Sequence, residues 1–578
     1  MNKVKLIETV VDVLSRPVHR LVGLAGGHRI VYKLASFPET SIWALDLESD
    51  DTAEIDEGNI GLAASSIESD WIIYEKTEGL KSTLYASRVS NGERVQIEGV
   101  GDYKVTGIAV SRKTAVATLS SPLDFKIAVI SQDDWSVEAL INVDKPVFVN
   151  SMQEPLAVGI GHLHGDPRST ELFIVDIDQG SFIDYTPRPG SNNRNPKISG
   201  RRILFSTALT VKEELLVLDY ESMTCSRAET NKADHKEDDV VEYIDYGWID
   251  GDKIWFIGLS RGSSRAYIDG KRLPSPEGYL VKGEWSGKSL IVEYTSFKTP
   301  NSIIAISDKK HKALVPHSHE AFEGVDEWSL KWVESSDGLR VPVWVVRPGA
   351  NESGPRKAVI YVHGGPFRGV YNEWNPIVSL FASLGYNVVI PNYRGSRGFG
   401  EHYRRMLIGD PGRGDVHDVL SVAHWTRNSG LAERVAGLGF SYGAYLALMS
   451  ALKDPGAFDA VAIGHAIVDW EHLYENGSVL LKRFIDILFE GRRDLMKNRT
   501  PKLLIDKLEQ PLCIVQPYRD DLSPLEPILN MAAGLAKLGK EFELHIVSSA
   551  GHDVLGSPDA PDILAYMASF IEKTLNAE

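Results

Sequence analysis

The chain has 578 residues, 43% hydrophobic and 24% charged, a composition that is ordinary for a soluble globular protein of several domains. Its formal net charge of −17 argues against a nucleic-acid partner, because phosphate binding needs a clustered cationic surface. No run of eighteen apolar residues occurs, so the sequence predicts neither a membrane span nor a membrane partner. Two isolated cysteines, Cys225 and Cys513, form no disulfide framework and no zinc motif, which favours a reducing, cytoplasmic location.

The first predicted element is an amphipathic helix within residues 1–21. Apolar residues recur at helical spacing from Val4 to Leu14, whereas Glu8 and Asp12 interrupt the continuous apolar stretch that a signal peptide would need. We therefore expect a helix that stays in the mature protein and packs on the C-terminal domain.

Residues 22–322 contain short apolar strands separated by Gly, Asn, Asp and Ser, with little helical periodicity. One strand type recurs seven times, about every 43 residues. The copies are SIWALDL from Ser41, TLYASRV from Thr83, KIAVISQ from Lys126, ELFIVDI from Glu171, ELLVLDY from Glu214, RAYIDGK from Arg265 and SIIAISD from Ser302. This period, with several strands per repeat, predicts a seven-bladed β-propeller, and an irregular array of β-sandwiches is the alternative.

Residues 323–578 alternate between strands and helices. The strand-like segments are VPVWVVRP, KAVIYVHGG, YNVVIPNYRG, RVAGLGFS, DAVAIGHAIV, PLCIVQPY and EFELHIVSS. Helical stretches such as YLALMSALKD lie between most of them. The alternation predicts a mostly parallel sheet covered by helices on both faces, so the fold class is multidomain, β followed by α/β.

The G-x-S-x-G pattern of serine hydrolases occurs twice, and its context separates the two copies. Ser441 follows the strand RVAGLGF and precedes the helix YGAYLALMSAL, as a nucleophile elbow requires, with Gly439 and Gly443 keeping the turn uncrowded. Ser260 follows KIWFI but runs into another strand, which predicts a turn within a propeller blade. We therefore predict an α/β-hydrolase domain with Ser441 as its nucleophile.

A serine nucleophile needs a histidine base and an orienting carboxylate, and in α/β-hydrolases these follow the serine in the order acid, then histidine. His552 lies in the loop after the last predicted strand and is the predicted base. His545 lies within that strand, where it is packed or faces solvent. His465 and His472 come too soon after the serine for the expected order.

Three further positions complete the predicted catalytic set. The acid is expected in the loop after PLCIVQPY, where Asp520 and Asp521 are adjacent and composition does not choose between them. The N–H of Tyr442, directly after the nucleophile, is one expected oxyanion donor. The loop His363-Gly364-Gly365-Pro366 after KAVIYV supplies Gly365 as the other, unless it is only a turn before a helix.

Cofactor motifs are absent from the sequence. Neither a phosphate-binding G-x-x-x-x-G-K-[ST] nor a dinucleotide-binding G-x-G-x-x-G pattern occurs. His162 and His164, like His317 and His319, lie in predicted propeller turns without a matched set of ligands. We therefore predict no cofactor and no metal site.

The complete pattern resembles the prolyl oligopeptidase family, and most closely its acylaminoacyl-peptidase branch, over the whole chain. The most specific segments are HGGPF at 363–367, NYRGSRGFG at 392–400, GFSYGAY at 439–445, VDWEHLYE at 468–475 and AGH at 550–552. The family's acid commonly closes an H-G-x-x-D frame. Gln516-Pro517-Tyr518-Arg519-Asp520 occupies that frame here, so the resemblance selects Asp520 over Asp521 despite the departures at its first two positions.

The resemblance also implies an apolar pocket, formed by the segment from Trp470 to Phe489, for the side chain on the acyl side of the scissile bond. Trp470 and Phe484 are its expected walls, and core aromatics of a helical insertion are the alternative. Peptidases of this kind often carry an arginine just after the acid, which holds a substrate carbonyl. Leu522 stands there instead, and Arg519 precedes the acid.

The expected protein is a seven-bladed β-propeller at residues 22–322 followed by an α/β-hydrolase domain at 323–578. The resemblance implies a serine peptidase that releases N-acylated amino acids from short peptides through an acyl-enzyme, with esterase activity as well. A carboxylesterase on the same scaffold, favoured by Leu522, is the nearest alternative. A non-catalytic propeller that binds other proteins is the alternative of another class. Short peptides or esters are the expected substrates, and a homo-oligomer is compatible with the sequence.

Overall fold

The structure is a computed structural model. It describes residues 3–37, 39–78, 81–121, 124–164, 169–209, 212–228, 240–249, 251, 253–315, 321–349, 356–548 and 551–577. The chain divides into two compact units. One comprises Pro17–Thr295 with Asn301–His319, and the other comprises Met1–Arg16, Ser296–Pro300 and Glu320–Glu578. The division thus falls near the expected boundaries, except that the short segment Ser296–Pro300 belongs with the C-terminal unit.

The described residues of the first of these units form seven four-stranded sheets of antiparallel strands. The strands of the first four are β1 (Val18–Ala25), β2 (Arg29–Ser36), β3 (Glu39–Asp46), β4 (Thr52–Glu57), β5 (Ile60–Ser65), β6 (Trp71–Glu78), β7 (Lys81–Arg88), β8 (Arg94–Ile97), β9 (Lys104–Val110), β10 (Thr114–Ser120), β11 (Phe125–Ser131), β12 (Val137–Val143), β13 (Val147–Gln153), β14 (Leu156–Gly161), β15 (Glu171–Asp176) and β16 (Ser181–Tyr185). Those of the last three are β17 (Asn192–Ser199), β18 (Arg202–Ala208), β19 (Glu213–Asp219), β20 (Thr224–Arg227), β21 (Glu242–Ile249), β22 (Lys253–Ser260), β23 (Ser263–Ile268), β24 (Lys271–Arg272), β25 (Tyr279–Trp285), β26 (Leu290–Ser296), β27 (Thr299–Ile306) and β28 (His311–Ala313). The predicted seven-bladed β-propeller is confirmed, and the recurring segment is the third strand of every blade.

Packing between blades explains why the inner strands read as continuous apolar runs. Val116 and Ile127 of the third blade and Val149 and Phe173 of the fourth are buried in one shared hydrophobic cluster. A strand covered on both faces has no polar side to alternate with. The outer strand β12, by contrast, alternates between exposed and half-buried residues.

Ser260 lies where β22 turns into β23. Ser260 pairs with Ser263, and the two residues between them, Arg261 and Gly262, have φ values of 49° and 73°. Two consecutive positive φ values are typical of the type I′ turn of a tight hairpin. The predicted blade turn is confirmed, and this serine has no helix behind it.

The other unit is built on one eight-stranded sheet in the order β29-β30-β32-β31-β33-β34-β35-β36. Its strands are β29 (Val325–Glu334), β30 (Arg340–Pro348), β31 (Lys357–Val362), β32 (Asn387–Pro391), β33 (Arg434–Phe440), β34 (Ala460–Gly464), β35 (Leu512–Pro517) and β36 (Phe542–Val547). β29, β30 and β32 pair antiparallel, and all further pairs are parallel. The predicted α/β-hydrolase fold is confirmed, with β29 as a strand that the sequence analysis did not identify.

Ten α-helices lie in the described part of this unit. They are α1 (Lys3–Leu14), α2 (Pro376–Ser383), α3 (Glu401–Arg405), α4 (Gly414–Asn428), α5 (Tyr442–Lys453), α6 (Trp470–Asn476), α7 (Val479–Leu488), α8 (Asp494–Asn498), α9 (Leu525–Lys537) and α10 (Ala560–Leu575). Two 3₁₀ helices, Pro501–Leu503 and Ile505–Lys507, precede β35. The N-terminal helix α1 contacts α2 and α10, and its buried Leu6, Val10 and Val13 share one face.

Two histidine pairs and two cysteines were noted in the sequence. His162 contacts the carbonyl of Ser169 within the propeller, whereas His317 and His319 fall outside the described residues. Cys225 is half-buried, Cys513 is buried, and both are free thiols. Within the described ranges, no helix is long and apolar enough to cross a membrane.

Candidate active site

Ser441 occupies the sharp turn between β33 and α5. Its φ of 55° and ψ of −123° are unfavourable for a residue with a side chain, and its N–H donates to the carbonyl of Gly464 at 3.0 Å. The flanking glycines are required by space, because a Cβ at Gly439 would overlap the backbone of Gly443. A Cβ at Gly443 would overlap the carbonyl oxygen of Val362. This geometry is that of a nucleophile elbow.

Three predicted catalytic side chains meet at this turn. The Nε2 atom of His552 lies 3.0 Å from the Oγ of Ser441. The Nδ1 atom of the same ring lies 2.9 Å and 3.0 Å from the two carboxylate oxygens of Asp520. His552 stands in the loop between β36 and α10, and Asp520 in the loop after β35. Of the AGH segment, Ala550 falls outside the described residues.

Asp520, and not Asp521, faces the histidine. Asp520 is buried and its Oδ1 accepts backbone N–H groups of Leu522 and Ser523, both at 2.9 Å, whereas Asp521 is exposed. Burial acts to raise the pKa of Asp520, but the hydrogen bonds from His465 and His552 outweigh this effect, and the pKa is lowered to about 2. The carboxylate is therefore ionised at neutral pH and accepts hydrogen bonds only.

His465 is a site residue that the sequence analysis set aside. It directly follows β34, has a φ of 52° and is fully buried. Its Nδ1 atom lies 3.0 Å from the Oδ2 of Asp520, and its ring stands nearly perpendicular to that of His552, with centroids 5.5 Å apart. The order of catalytic residues along the chain argues against His465 as the base. That order gives no information about whether His465 contacts the acid, so this contact was not predicted.

The glycine loop after β31 lies against the elbow. A Cβ built on Gly364 would stand 3.5 Å from the Cβ of Ser441, and Gly365 beside it is exposed with a φ of 136°. His363 fixes the start of this loop: its ring stacks on Tyr393 with centroids 4.5 Å apart, and its Nε2 lies 2.9 Å from the Oγ of Ser396. Burial lowers the pKa of His363 to about 4, so its imidazole is neutral.

The side chain of Tyr442, the residue after the nucleophile, is held by the buried carboxylate of Asp415. Its hydroxyl donates to the Oδ2 of Asp415 at 2.6 Å, and the same carboxylate accepts the N–H groups of Gly412 at 3.1 Å and Val416 at 2.9 Å. Burial raises the pKa of Asp415 to about 6. Tyr442 is the first residue of α5, so its N–H lies beyond the helix's own hydrogen-bond ladder and next to Ser441.

The two predicted pocket aromatics have different environments. Trp470 is fully buried, with edge-to-face contacts to Tyr445 at 5.3 Å and Phe489 at 5.2 Å between centroids. Phe484 is half-buried and makes an edge-to-face contact, at 6.3 Å, with Phe367 of the HGGPF segment. Phe484 therefore stands beside the glycine loop, whereas Trp470 presents no exposed surface.

The loop that carries the acid also presents exposed side chains. Tyr518 is 62% exposed, Leu522 is 43% exposed, and Arg519 is exposed as well. Both Arg519 and Leu522 are thus accessible next to the catalytic acid.

One group of possible metal ligands occurs among the described residues. It consists of His465, Asp520 and His552, whose ligand atoms lie within 4.8 Å of one another. Both histidines already direct their Nδ1 atoms to the carboxylate at hydrogen-bond distance. The chemistry of the cluster as it stands is proton transfer between serine, imidazole and carboxylate.

Comparison with known proteins gives matches in both units. Residues 372–578 match the prolyl oligopeptidase family, and residues 72–304 match the acylamino-acid-releasing enzyme-like N-terminal domain. Acylamino-acid-releasing enzyme 2 of rice (Oryza sativa subsp. japonica) is 25% identical over 268 residues, which are 44% of this chain and 35% of that enzyme. Acylamino-acid-releasing enzyme 1 of rice is 24% identical over 381 residues, 62% of this chain and 46% of that enzyme. The chain thus aligns with about a third to a half of the length of these relatives.

Among solved structures, the acylaminoacyl peptidase of Pyrococcus horikoshii superposes with a TM-score of 0.77 at 17% sequence identity. The superposition covers 97% of each chain. At this identity the likeness is one of fold.

Proposed function

We propose that this chain, whose residues 372–578 match the prolyl oligopeptidase family, is a serine peptidase that releases N-acylated amino acids from short blocked peptides. One observation carries the proposal: Ser441, His552 and Asp520 form a continuous hydrogen-bonded chain at a nucleophile elbow. The substrate class rests on the N-terminal domain match and on the names of the rice relatives.

In the proposed acylation step, the Oγ of Ser441 attacks the carbonyl carbon of the scissile amide. His552 takes the hydroxyl proton at Nε2 and then gives it to the leaving amine, so that the C–N bond breaks and an acyl-enzyme remains. Asp520 accepts the Nδ1–H of His552, which keeps Nε2 free to receive the proton and stabilises the imidazolium. In deacylation a water molecule attacks the acyl carbon while His552 takes a proton from it. The histidine then returns this proton to the Oγ of Ser441 as the acyl C–O bond breaks, which frees the N-acylated amino acid and restores the serine.

The negative charge of the tetrahedral intermediate develops on the former carbonyl oxygen. We assign its donors to the backbone N–H groups of Tyr442 and Gly365. Two observations support this assignment: a Cβ at Gly364 would stand only 3.5 Å from the Cβ of Ser441, so the glycine loop lies beside the nucleophile, and Asp415 holds the Tyr442 side chain. Rigid donors stabilise the charge without reorganising during the reaction.

The apolar side chain on the acyl side is proposed to bind beside the HGGPF segment. Phe484 and Phe367 are the half-buried aromatics at that place, and both retain accessible surface for a ligand. Trp470 supports the region from the core, through its contacts to Tyr445 and Phe489. The expected pocket thus rests on Phe484, with Phe367 as its second wall.

A carboxylesterase is the second proposal, because the exposed Leu522 offers only apolar contact where an arginine would grip a substrate carbonyl. The two are separated by measuring kcat/KM for an N-acetyl-amino-acid anilide, the same anilide with a free amino group, and a series of p-nitrophenyl esters. A peptidase of the proposed kind cleaves the acetylated anilide and prefers it to the free amine. Ester turnover without anilide cleavage would support the carboxylesterase. Failure of Ser441 to react with a fluorophosphonate would support the non-catalytic alternative.

A further inference from the structure

Asp520 is shared by two histidines. The Nδ1 atom of His552, the catalytic histidine, contacts both carboxylate oxygens, and the Nδ1 atom of the buried His465 contacts Oδ2 at 3.0 Å. The backbone N–H groups of Leu522 and Ser523 hold Oδ1. Every direction from which this carboxylate can accept a hydrogen bond is therefore used.

The hydrogen bond defines which nitrogen of His465 carries a proton. Because Asp520 is ionised, it cannot donate, so the Nδ1 of His465 must be the donor. The Nε2 of His465 is buried and finds no partner among the residues that the structure describes. The proton that Asp520 accepts from this ring is therefore carried by Nδ1.

The backbone keeps this ring in place. The N–H of His465 donates to the carbonyl of Val515 at 3.2 Å, across the parallel pair β34 and β35. The φ of 52° turns the side chain away from the strand direction, and the ring lies 6.2 Å from that of Phe440. A left-handed backbone is unfavourable for most side chains and persists where the surroundings impose it. The acid loop and the elbow strand thus hold the imidazole from both sides.

A carboxylate can rotate about its Cβ–Cγ bond, and its plane decides how it meets the histidine. The backbone donors fix Oδ1 alone, so a second contact at Oδ2 is needed to fix the plane. We propose that His465 is a positioning residue, whose Nδ1–H donates to Oδ2 of Asp520 and so sets the orientation and basicity of His552. This inference rests on the proposed serine hydrolase function.

The test uses two variants that both suit a left-handed backbone. His465→Gly removes the donor, whereas His465→Asn replaces it with a side-chain amide N–H, and asparagine tolerates positive φ. The matched control is His545→Ala, since His545 lies on β36 and stacks on Tyr566 away from the triad. For each protein we would measure kcat and KM, the pH profile of kcat/KM, the melting temperature and the rate of fluorophosphonate labelling.

His465→Gly should lower kcat by about ten- to a hundredfold, as expected for loss of one hydrogen bond to a charged group, with KM little changed. The acid limb of the kcat/KM profile should move to higher pH, because a less compensated Asp520 stabilises the imidazolium of His552. His465→Asn should restore both quantities towards the native values. A purely structural role would lower the melting temperature without moving the acid limb.

Native kcat and a native acid limb in His465→Gly would overturn the proposal, as would an asparagine variant as slow as the glycine variant. Should the glycine variant fail to fold, NMR of the histidine-labelled native enzyme decides, since an Nε2–H tautomer of His465 would contradict the assignment. Fluorophosphonate labelling separates this inference from the substrate assignment, because it needs the triad but no peptide. Absence of peptide cleavage with slower labelling in His465→Gly would refute the peptidase and still support His465.

Discussion

The adjacent carboxylates Asp520 and Asp521 offer a matched pair of substitutions that isolates the role of the catalytic acid. Asp520→Asn changes a buried group that His552 contacts at 2.9 Å, whereas Asp521→Asn changes an exposed charge one residue along. Both variants alter the net charge equally, so a difference between them reports position and not charge.

The expected loss follows from the hydrogen bond to Nδ1. An asparagine that turns its amide N–H towards His552 holds the proton of the imidazole on Nε2, where it cannot accept the proton of Ser441. Loss of a triad acid in this way lowers kcat about 10⁴-fold, or roughly 5 kcal/mol of transition-state stabilisation. Substituting an exposed loop charge should change stability by less than about 0.5 kcal/mol and leave kcat nearly native.

The assay is the steady-state kcat on an N-acetyl-amino-acid anilide, accompanied by melting curves that verify folding of both variants. Equal losses of kcat, or a larger loss in Asp521→Asn, would refute the assignment of the acid. A loss confined to KM would refute the tautomer argument.

Three further predictions concern the loop, the buried carboxylate and the elbow. Leu522→Arg should lower the ester-to-peptide ratio of kcat/KM by about one to two powers of ten, because it adds a charge-assisted hydrogen bond to an amide substrate. If the ratio stays unchanged and Arg519→Ala selectively loses peptide cleavage, Arg519 already makes this hydrogen bond and the prediction is wrong. The pKa of Asp415 is raised to about 6, so this carboxyl binds more protons in the folded than in the unfolded state. Its contribution to stability is therefore present below about pH 4 and is lost as the pH rises through about 6. Relative to the native protein, Asp415→Asn should therefore gain about 2 kcal/mol in the free energy of unfolding between pH 4 and pH 7, and an equal difference at both pH values in denaturant titrations would contradict this. Gly443→Ala should abolish fluorophosphonate labelling, because its Cβ would overlap the carbonyl oxygen of Val362, and native labelling rates would show that the elbow is less constrained than described.

The propeller and the α/β fold could both be predicted from the sequence, because the blade repeat and the strand–helix alternation are visible in short stretches of the chain. The third strand of every blade carries buried apolar residues, so a similar apolar segment repeats at each blade even though the letters differ. The strand β29 was missed because only Val325 and Val333 in it are buried, and the other residues are exposed or half-exposed, which leaves little apolar signal. Trp470 was expected to line a pocket but is fully buried. The residue type alone does not reveal whether an aromatic ring lines a pocket or lies in the core.

The candidate site was partly accessible for a different reason. The order Ser, Asp, His is a property of the fold, and each predicted member lies in the turn or loop that follows a strand. The contact from His465 to Asp520 is long-range in sequence and arises because β34 and β35 are neighbours in the sheet. A histidine at the carboxyl end of a strand beside the acid strand was the available signal, because parallel strands bring such ends to one edge.

We propose that Ser441 cleaves the bond after a blocked N-terminal residue, and mass spectrometry of the products formed from an N-acetylated short peptide by the native protein and by Ser441→Ala tests this directly. The native protein should release one acetylated amino acid and one peptide with a new free N-terminus, and kcat should be lowered about 10⁴-fold or more in the variant. Cleavage at another bond, or undiminished cleavage by Ser441→Ala, would contradict the proposal.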